Sequence, residues 1–211
     1  VIIGPATSLQ TGDSESKLVL QGGNVLFLDD SSDGDVIASI TPNVVPAHGE
    51  GPRLMWLPKR GSFRAGYVDN TTATWDDDEV GLHSVAIGKN SRASHFSIAL
   101  GYDTKAGAAQ LNSTGADASR YNSVSVGINV ENPAATSVGI GRDITTPTGS
   151  TLRSDIVAIG DTITTSHSNQ VGIGYNVALS STGSHVGIGR DLTSGSTGAG
   201  VNIGYNQSTS K

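Results

Sequence analysis

From residue 85 onward the chain repeats one order of side chains. A β-branched residue is followed by a small residue, an aliphatic residue, Gly, a variable residue and then usually Asn or Asp. The copies start at Val85-Ala86-Ile87-Gly88, Ile98-Ala99-Leu100-Gly101, Val124-Ser125-Val126-Gly127 and Val138-Gly139-Ile140-Gly141. They continue at Val157-Ala158-Ile159-Gly160, Val171-Gly172-Ile173-Gly174, Val186-Gly187-Ile188-Gly189 and Val201-Asn202-Ile203-Gly204. The closing glycines, Gly88, Gly101, Gly127, Gly141, Gly160, Gly174, Gly189 and Gly204, are spaced by 13, 26, 14, 19, 14, 15 and 15 residues. A fixed period of this kind marks a stacked repeat architecture.

The period selects the coil. About 14 residues hold two short strands and two tight turns, too few for a helix plus a strand. Each coil is therefore expected to be a flattened two-strand turn, and the stack an all-β parallel roll of about 14-residue coils. The 26-residue step reads as two coils of 13 with a degenerate copy between. The 19-residue step reads as one coil plus an insertion of about five, Thr145 to Ser150. Side chains alternate across a strand, which is expected to put the Val and Ile of positions one and three in a narrow core. Position two would then face outward. It is small in every copy, which predicts another backbone close by and an oligomer contact on that face. Gly followed by Asn or Asp supplies the left-handed backbone of the turn.

The sequence before the repeats reads differently. Leu18/Leu20 and Val25/Phe27 alternate by two on either side of Gly22-Gly23, a hairpin signal. Val36 to Ile40 reads as a third strand, and Pro42, Pro46 and Pro52 as linker. The expected organisation is a small β element over 1–50, a connector over 51–80 and the repeats over 81–211. Val1 opens on β-prone sequence without an initiator Met or signal peptide, which reads as a fragment or processed product.

Composition narrows the functional classes. There are 4 Glu and 5 Lys against 47 Ser plus Thr, which excludes a helical bundle. The chain has no Cys, so neither disulfides nor thiolate metal sites contribute. The net charge is −6. Residues 1–80 carry net −7 and 81–211 net +1, without the basic surplus of a nucleic-acid binder. No apolar run is long enough to span a membrane as a helix.

Candidate chemistry is thin. Asp29, Ser31, Asp33, Gly34 and Asp35 follow the start of a calcium loop, but its twelfth position is Ile40 rather than Glu. Asp76, Asp77, Asp78 and Glu79 are adjacent carboxylates that read as a solvated run rather than a catalytic pair. The five His show no i,i+2 or i,i+4 zinc pattern. No nucleophile elbow or phosphate loop is present. No catalytic, metal or cofactor residue is therefore assigned. The variable residue after each repeat Gly is often large: Lys89, Tyr102, Ile128, Arg142, Tyr175, Arg190, Tyr205. Exposed Tyr and Arg suit recognition of proteins and sugars. Alternatively, they stack on one another between coils.

Ser84-Val85-Ala86-Ile87-Gly88, Arg92-Ala93-Ser94 and Ser97-Ile98-Ala99-Leu100-Gly101 resemble the left-handed parallel β-roll of YadA-type trimeric adhesin heads, a repeat also found in bacteriophage tail fibres. Arg53-Leu54-Met55-Trp56-Leu57-Pro58-Lys59-Arg60-Gly61-Ser62-Phe63-Arg64-Ala65-Gly66 resembles a stretch of phage tail-fibre and neck-appendage proteins that leads into such repeats through a Trp-Asp segment, here Trp75-Asp76. The resemblance covers roughly residues 53–206. It implies an intertwined homotrimer on the virion surface or outside the cell, without enzymatic activity in the roll. The implied partners are other fibre or virion proteins and a host surface glycan or protein, with no nucleic acid and no membrane insertion. The implied role is structure and host attachment. The alternatives are the head of a bacterial trimeric autotransporter adhesin, or the non-catalytic part of a polysaccharide-depolymerase tailspike. Relatives of this kind often continue into a cleaved C-terminal chaperone, and Lys211 lies where a mature product would end. Specificity is expected on the stretches that break the period, Gly107 to Tyr121 and Thr145 to Arg153, with Arg120, Tyr121 and Arg153 as candidate receptor contacts.

Overall fold

A computed structural model describes residues 49–57, 60–69, 75, 79–107, 122–133, 136–147, 155–180, 182–195 and 198–209. The β element expected over 1–50 lies, up to residue 48, outside these residues, as do the calcium-like run and Asp76 to Asp78.

The described residues form strands and turns. In chain order the strands are β1 (Gly51–Leu57), β2 (Ser62–Val68), β3 (Val85–Lys89), β4 (Arg92–Ala93), β5 (Ile98–Tyr102) and β6 (Lys105–Ala106). The longer ones follow: β7 (Val124–Asn132), β8 (Val138–Thr145), β9 (Val157–Thr165), β10 (Gln170–Leu179), β11 (His185–Ser194) and β12 (Gly200–Thr209). β1 and β2 pair antiparallel. Every later neighbour is parallel, in the order β2-β3-β5-β7-β8-β9-β10-β11-β12. This is a parallel β-solenoid.

Register follows the repeat. Val171 pairs with Val157 on one side and Val186 on the other, and Gly174 with Gly160 and Gly189. The long strands run through the turn. Each bends at its Gly, with φ between 124° and 144°, and at the residue two positions on, Asn or Asp in all but one coil and Thr162 in the other, with φ of 49–58°. Gly supplies a backbone closed to residues with a Cβ, and Asn or Asp tolerates the left-handed region. The turn chemistry read from the sequence is therefore the one used.

Two expectations are corrected. The step of 26 does not hold a hidden coil. β5 pairs directly with β7, Gly101 against Gly127, and β6 pairs with β7, Lys105 against Glu131. Residues 108–121, within this single coil's span of sequence, lie outside the described residues. The 19-residue step is also one coil, since β8 pairs directly with β9.

The second correction concerns inside and outside. Position two points inward: Ala86, Ala99, Ser125 and Ala158 are fully buried. Ile87, Ile140 and Ile188 at position three keep 37–41% of their surface exposed. The interior is too narrow for β-branched residues on both walls. The second strand of each coil supplies the bulk, through Val130, Ile144, Ile163, Val177 and Leu192, and the motif strand supplies room. A Cβ on Gly172 would lie 2.9 Å from Ile163 Cγ2, and one on Gly139 2.9 Å from Val130 Cγ1. Ala faces Ala instead in the first coils, where Ala86, Ala93, Ala99 and Ala106 form a thinner core.

The parallel stack begins at β2, before residue 81. Phe63-Arg64-Ala65-Gly66-Tyr67 aligns with Val85-Ala86-Ile87-Gly88-Lys89, and Gly66 has the motif φ of 140°. Arg64 thus fills an inward position and closes the first coil. β1, Trp75, Met55, Val68 and Val80 make a separate apolar cluster there, and the buried Trp75 indole donates to Ser91 O at 2.6 Å. At the far end Asn202 and Gln207 occupy the inward positions taken elsewhere by Gly or Ala and by Leu192.

Candidate functional site

Three surfaces carry the residues singled out by sequence. The first is the turn edge. The residues after the repeat Gly stack on one another, so the second of the two sequence readings describes their contacts. The Lys89 ammonium lies between the rings of Tyr67 and Tyr102, 5.9 and 5.5 Å from their centroids. Arg190 lies between Tyr175 and Tyr205, at 5.3 and 5.8 Å. Arg142 pairs with Asp161, whose carboxyl is held below the usual range by that hydrogen bond and by one from Thr162. Lys89 also pairs with Asp69 at 3.3 Å, which holds the ammonium above its ordinary pKa, with Tyr102 adding to the effect. Beside this column the left-handed residues link rung to rung: Asn129 Nδ2 donates to Asp143 Oδ1 at 2.9 Å and Asn176 Nδ2 to Asp191 Oδ1 at 2.8 Å. Alternating amide and carboxylate keeps like charges off neighbouring rungs. Thr162 interrupts that ladder.

A groove of about 290 Å³ opens here between Asp103, Lys105, Asn129, Glu131, Asp143 and Thr145. Its one cation, Lys105, pairs with Glu131 at 3.4 Å, and Asp103 and Asp143 leave the lining net negative. Among the described residues no group of three His, Cys, Asp or Glu is placed to hold a metal.

The second surface is the N-terminal end, where the buried titratable groups gather. Arg64 is fully buried and donates to Phe63 O, Ser84 O, Ser84 Oγ and Ala93 O at 2.9–3.1 Å. Burial, then the charge of Arg60, pushes its pKa down to about 9. Arg60 itself donates to Val80 O at 2.6 Å. His95 accepts the Leu82 N–H through Nδ1 at 2.9 Å, and burial, Arg60 and His83 lower its pKa. His83 stacks on Phe96, rings 5.3 Å apart. His185, near the other end, meets Ser194 Oγ at 3.1 Å. Both are buried, and the pair fastens a corner of the coil.

The third surface is the outer face of the motif sheet, which sequence reasoning placed in the core. Register sets Phe63, Val85, Ile98, Val124, Val138, Val157, Val171, Val186 and Val201 in one column. Ala65, Ile87, Leu100, Val126, Ile140, Ile159, Ile173, Ile188 and Ile203 form the next. Trp56 pairs with Phe63 and Leu54 with Ala65, so β1 extends both columns. Leu54 is 75% exposed and Trp56 45%. At ~4.8 Å per strand the face is about 45 Å long and, with two columns, roughly 450 Å². The largest apolar patch on a typical monomer is of about this size and is often functional.

The repeat glycines lie within the sheet, each under the next rung except Gly204 on the last strand. Of the candidate receptor contacts, Arg120, Tyr121 and Arg153 lie outside the described residues. The stretches 108–121 and 148–154, outside the described residues, both fall in sequence between a second strand and the next motif strand, after β6 and after β8. Comparison with protein-family models, curated proteins and solved structures returns no match.

Proposed function

We propose that the chain is a structural segment of a homotrimeric fibre, with the outer Val/Ile face of each copy covered by the others. The observation that carries the reading is that apolar face, continuous from Leu54 and Trp56 to Val201 and Ile203. A face built of the same two residue types on nearly every rung matches another copy of itself along its whole length. A single chain has only a thin interior, and association buries what it lacks. The copy number follows the resemblance of the repeats to trimeric β-rolls. The resemblance of residues 53–66 to tail-fibre and neck-appendage proteins favours a phage fibre or spike serving host attachment.

In this reading the stacked coils are the shaft and the two stretches that break the period, Gly107 to Tyr121 and Thr145 to Arg153, carry recognition, because insertions on a rigid scaffold vary without cost to it. Trimming residues 108–121 and 148–154 to the length of an uninterrupted coil tests this. Adsorption of the trimmed trimer to host cells should fall. Unchanged adsorption with both stretches trimmed would make the segment a spacer.

A further inference from the structure

We propose that the β1–β2 hairpin sets the axial register of the assembly, with Trp56, Leu54, Phe63 and Ala65 as the residues that specify it. This rests on the oligomeric reading above.

The argument is one of degeneracy. From β3 to β12 every rung presents a Val or Ile beside an Ile, Leu or Val, in columns that run straight up the sheet. A second copy shifted by one rung, about 4.8 Å, meets nearly the same surface. Ladders of identical apolar pairs specify register weakly, and a distinct row is needed to fix it.

The hairpin supplies two such rows. Trp56 stands beside Leu54, and Phe63 beside Ala65, so large and small alternate there as nowhere else on the face. In the aligned arrangement each row meets its own kind around the axis. After a one-rung slip the Trp56 row of one copy faces the Phe63/Ala65 row of another, and the Phe63 row faces Val85 and Ile87. Rings then meet where the repeat leaves room for a Val, and Ala65 leaves a gap. Slippage also uncovers one row at each end, and that loss grows with the apolar area of the row, so the Trp56/Leu54 row adds to the preference for alignment. The hairpin is anchored from within, through Met55 and Trp75 on its inner side and Arg64 in the first coil.

Because the chain has no Cys, introduced thiols report register cleanly. Chains carrying Ile140→Cys and chains carrying Ile159→Cys, which lie on adjacent rungs of the outer face, are refolded together and cross-linked with a short bis-thiol reagent. Linked peptides are then quantified by mass spectrometry. The parental hairpin should give 140–140 and 159–159 links, with mixed 140–159 links at least tenfold rarer. A regularised hairpin, Trp56→Val, Leu54→Ile, Phe63→Val and Ala65→Ile, keeps the face apolar and removes its distinct rows. It should still assemble by sedimentation, with mixed links rising to the level of like links. Retention of like links alone in the regularised chain would overturn the proposal. A parental chain that sediments as a monomer would instead overturn the oligomeric reading beneath it.

Discussion

Gly174 and Gly204 share a backbone and differ in what lies above them, so Ala at each site separates strain from stacking. Their φ values are 135° and 139°. Placing a Cβ on such a backbone costs about 1–3 kcal/mol. At Gly204 little more is added, since the new methyl lies 3.1 Å from Gln207 Nε2, the end of a flexible side chain. At Gly174 the methyl falls inside van der Waals contact of the Gly189 carbonyl, 2.8 Å from its carbon and closer still to its oxygen. Carbon atoms prefer about 3.5–4.0 Å, so the next rung must move by most of an ångström or more and lose ladder bonds on both sides. Gly204→Ala is expected to cost about 1–3 kcal/mol, and Gly174→Ala more than about 4–5, the range reserved for structural disruption. For a chain of this size, 1 kcal/mol moves the Tm by roughly 2–4 °C. Thermal melts by far-UV circular dichroism, at one protein concentration because association shifts Tm, should place Gly204→Ala within about 10 °C of the parent. Gly174→Ala should be lowered much further or not fold. Equal losses would mean that backbone strain alone sets the requirement for Gly, and that the rungs are not packed as described.

Thr162 puts a β-branched residue in the left-handed region, φ 58°, where other coils use Asn or Asp. Thr162→Asn should stabilise by up to about 1 kcal/mol in urea unfolding, and loss of stability would show that Thr162 has a role of its own. Ala158→Arg should prevent folding of the single chain rather than block association, because Ala158 is wholly inside the coil beside Ile163; a folded monomeric variant would refute this. His95 binds a proton less readily folded than unfolded, its pKa lying below 6.5. The unfolded chain therefore takes up the proton first, and stability present above about pH 6.5 is lost as pH falls toward the folded value. His95→Asn keeps an acceptor for the Leu82 N–H and should flatten the stability profile between pH 7.5 and 5; an unchanged slope would assign it to other groups.

The coil length, the strand character of the described residues and the turn residues were legible in the sequence because each rests on local chemistry. Gly then Asn or Asp can be read without knowing what surrounds them. The inner face was not legible in the same way. Period-two alternation defines two faces of a strand, and when one bears Val and Ile and the other Ala and Gly, both are apolar. Hydrophobic rank points to Val and Ile as the core. What decides instead is width, since the second strand's Ile163 and Leu192 already fill a flattened coil. Uniform small size at position two did signal a close neighbour, but that neighbour is the chain's own opposite wall. The coil at β2 went unread because Phe63-Arg64-Ala65 departs from the repeat; Gly66-Tyr67, matching Gly101-Tyr102 and Gly174-Tyr175, was the available signal. The 26-residue step read as two coils because its length is close to twice the period, whereas β5 pairs directly with β7.

The measurement that bears most directly on the account compares Ile163→Asp with Ile173→Asp by sedimentation velocity and circular dichroism. The two residues are chemically alike, one buried against Val177 and the other on the outer face. The parent, at 21.5 kDa per chain, should sediment as a trimer. Ile163→Asp should lose its β spectrum, because an unpaired carboxylate lies in an aliphatic interior. Ile173→Asp should keep the β spectrum while losing the trimer. A monomeric parent, or an Ile173→Asp chain that unfolds as completely as Ile163→Asp when diluted to single chains, would contradict the outward face and its coverage by other copies.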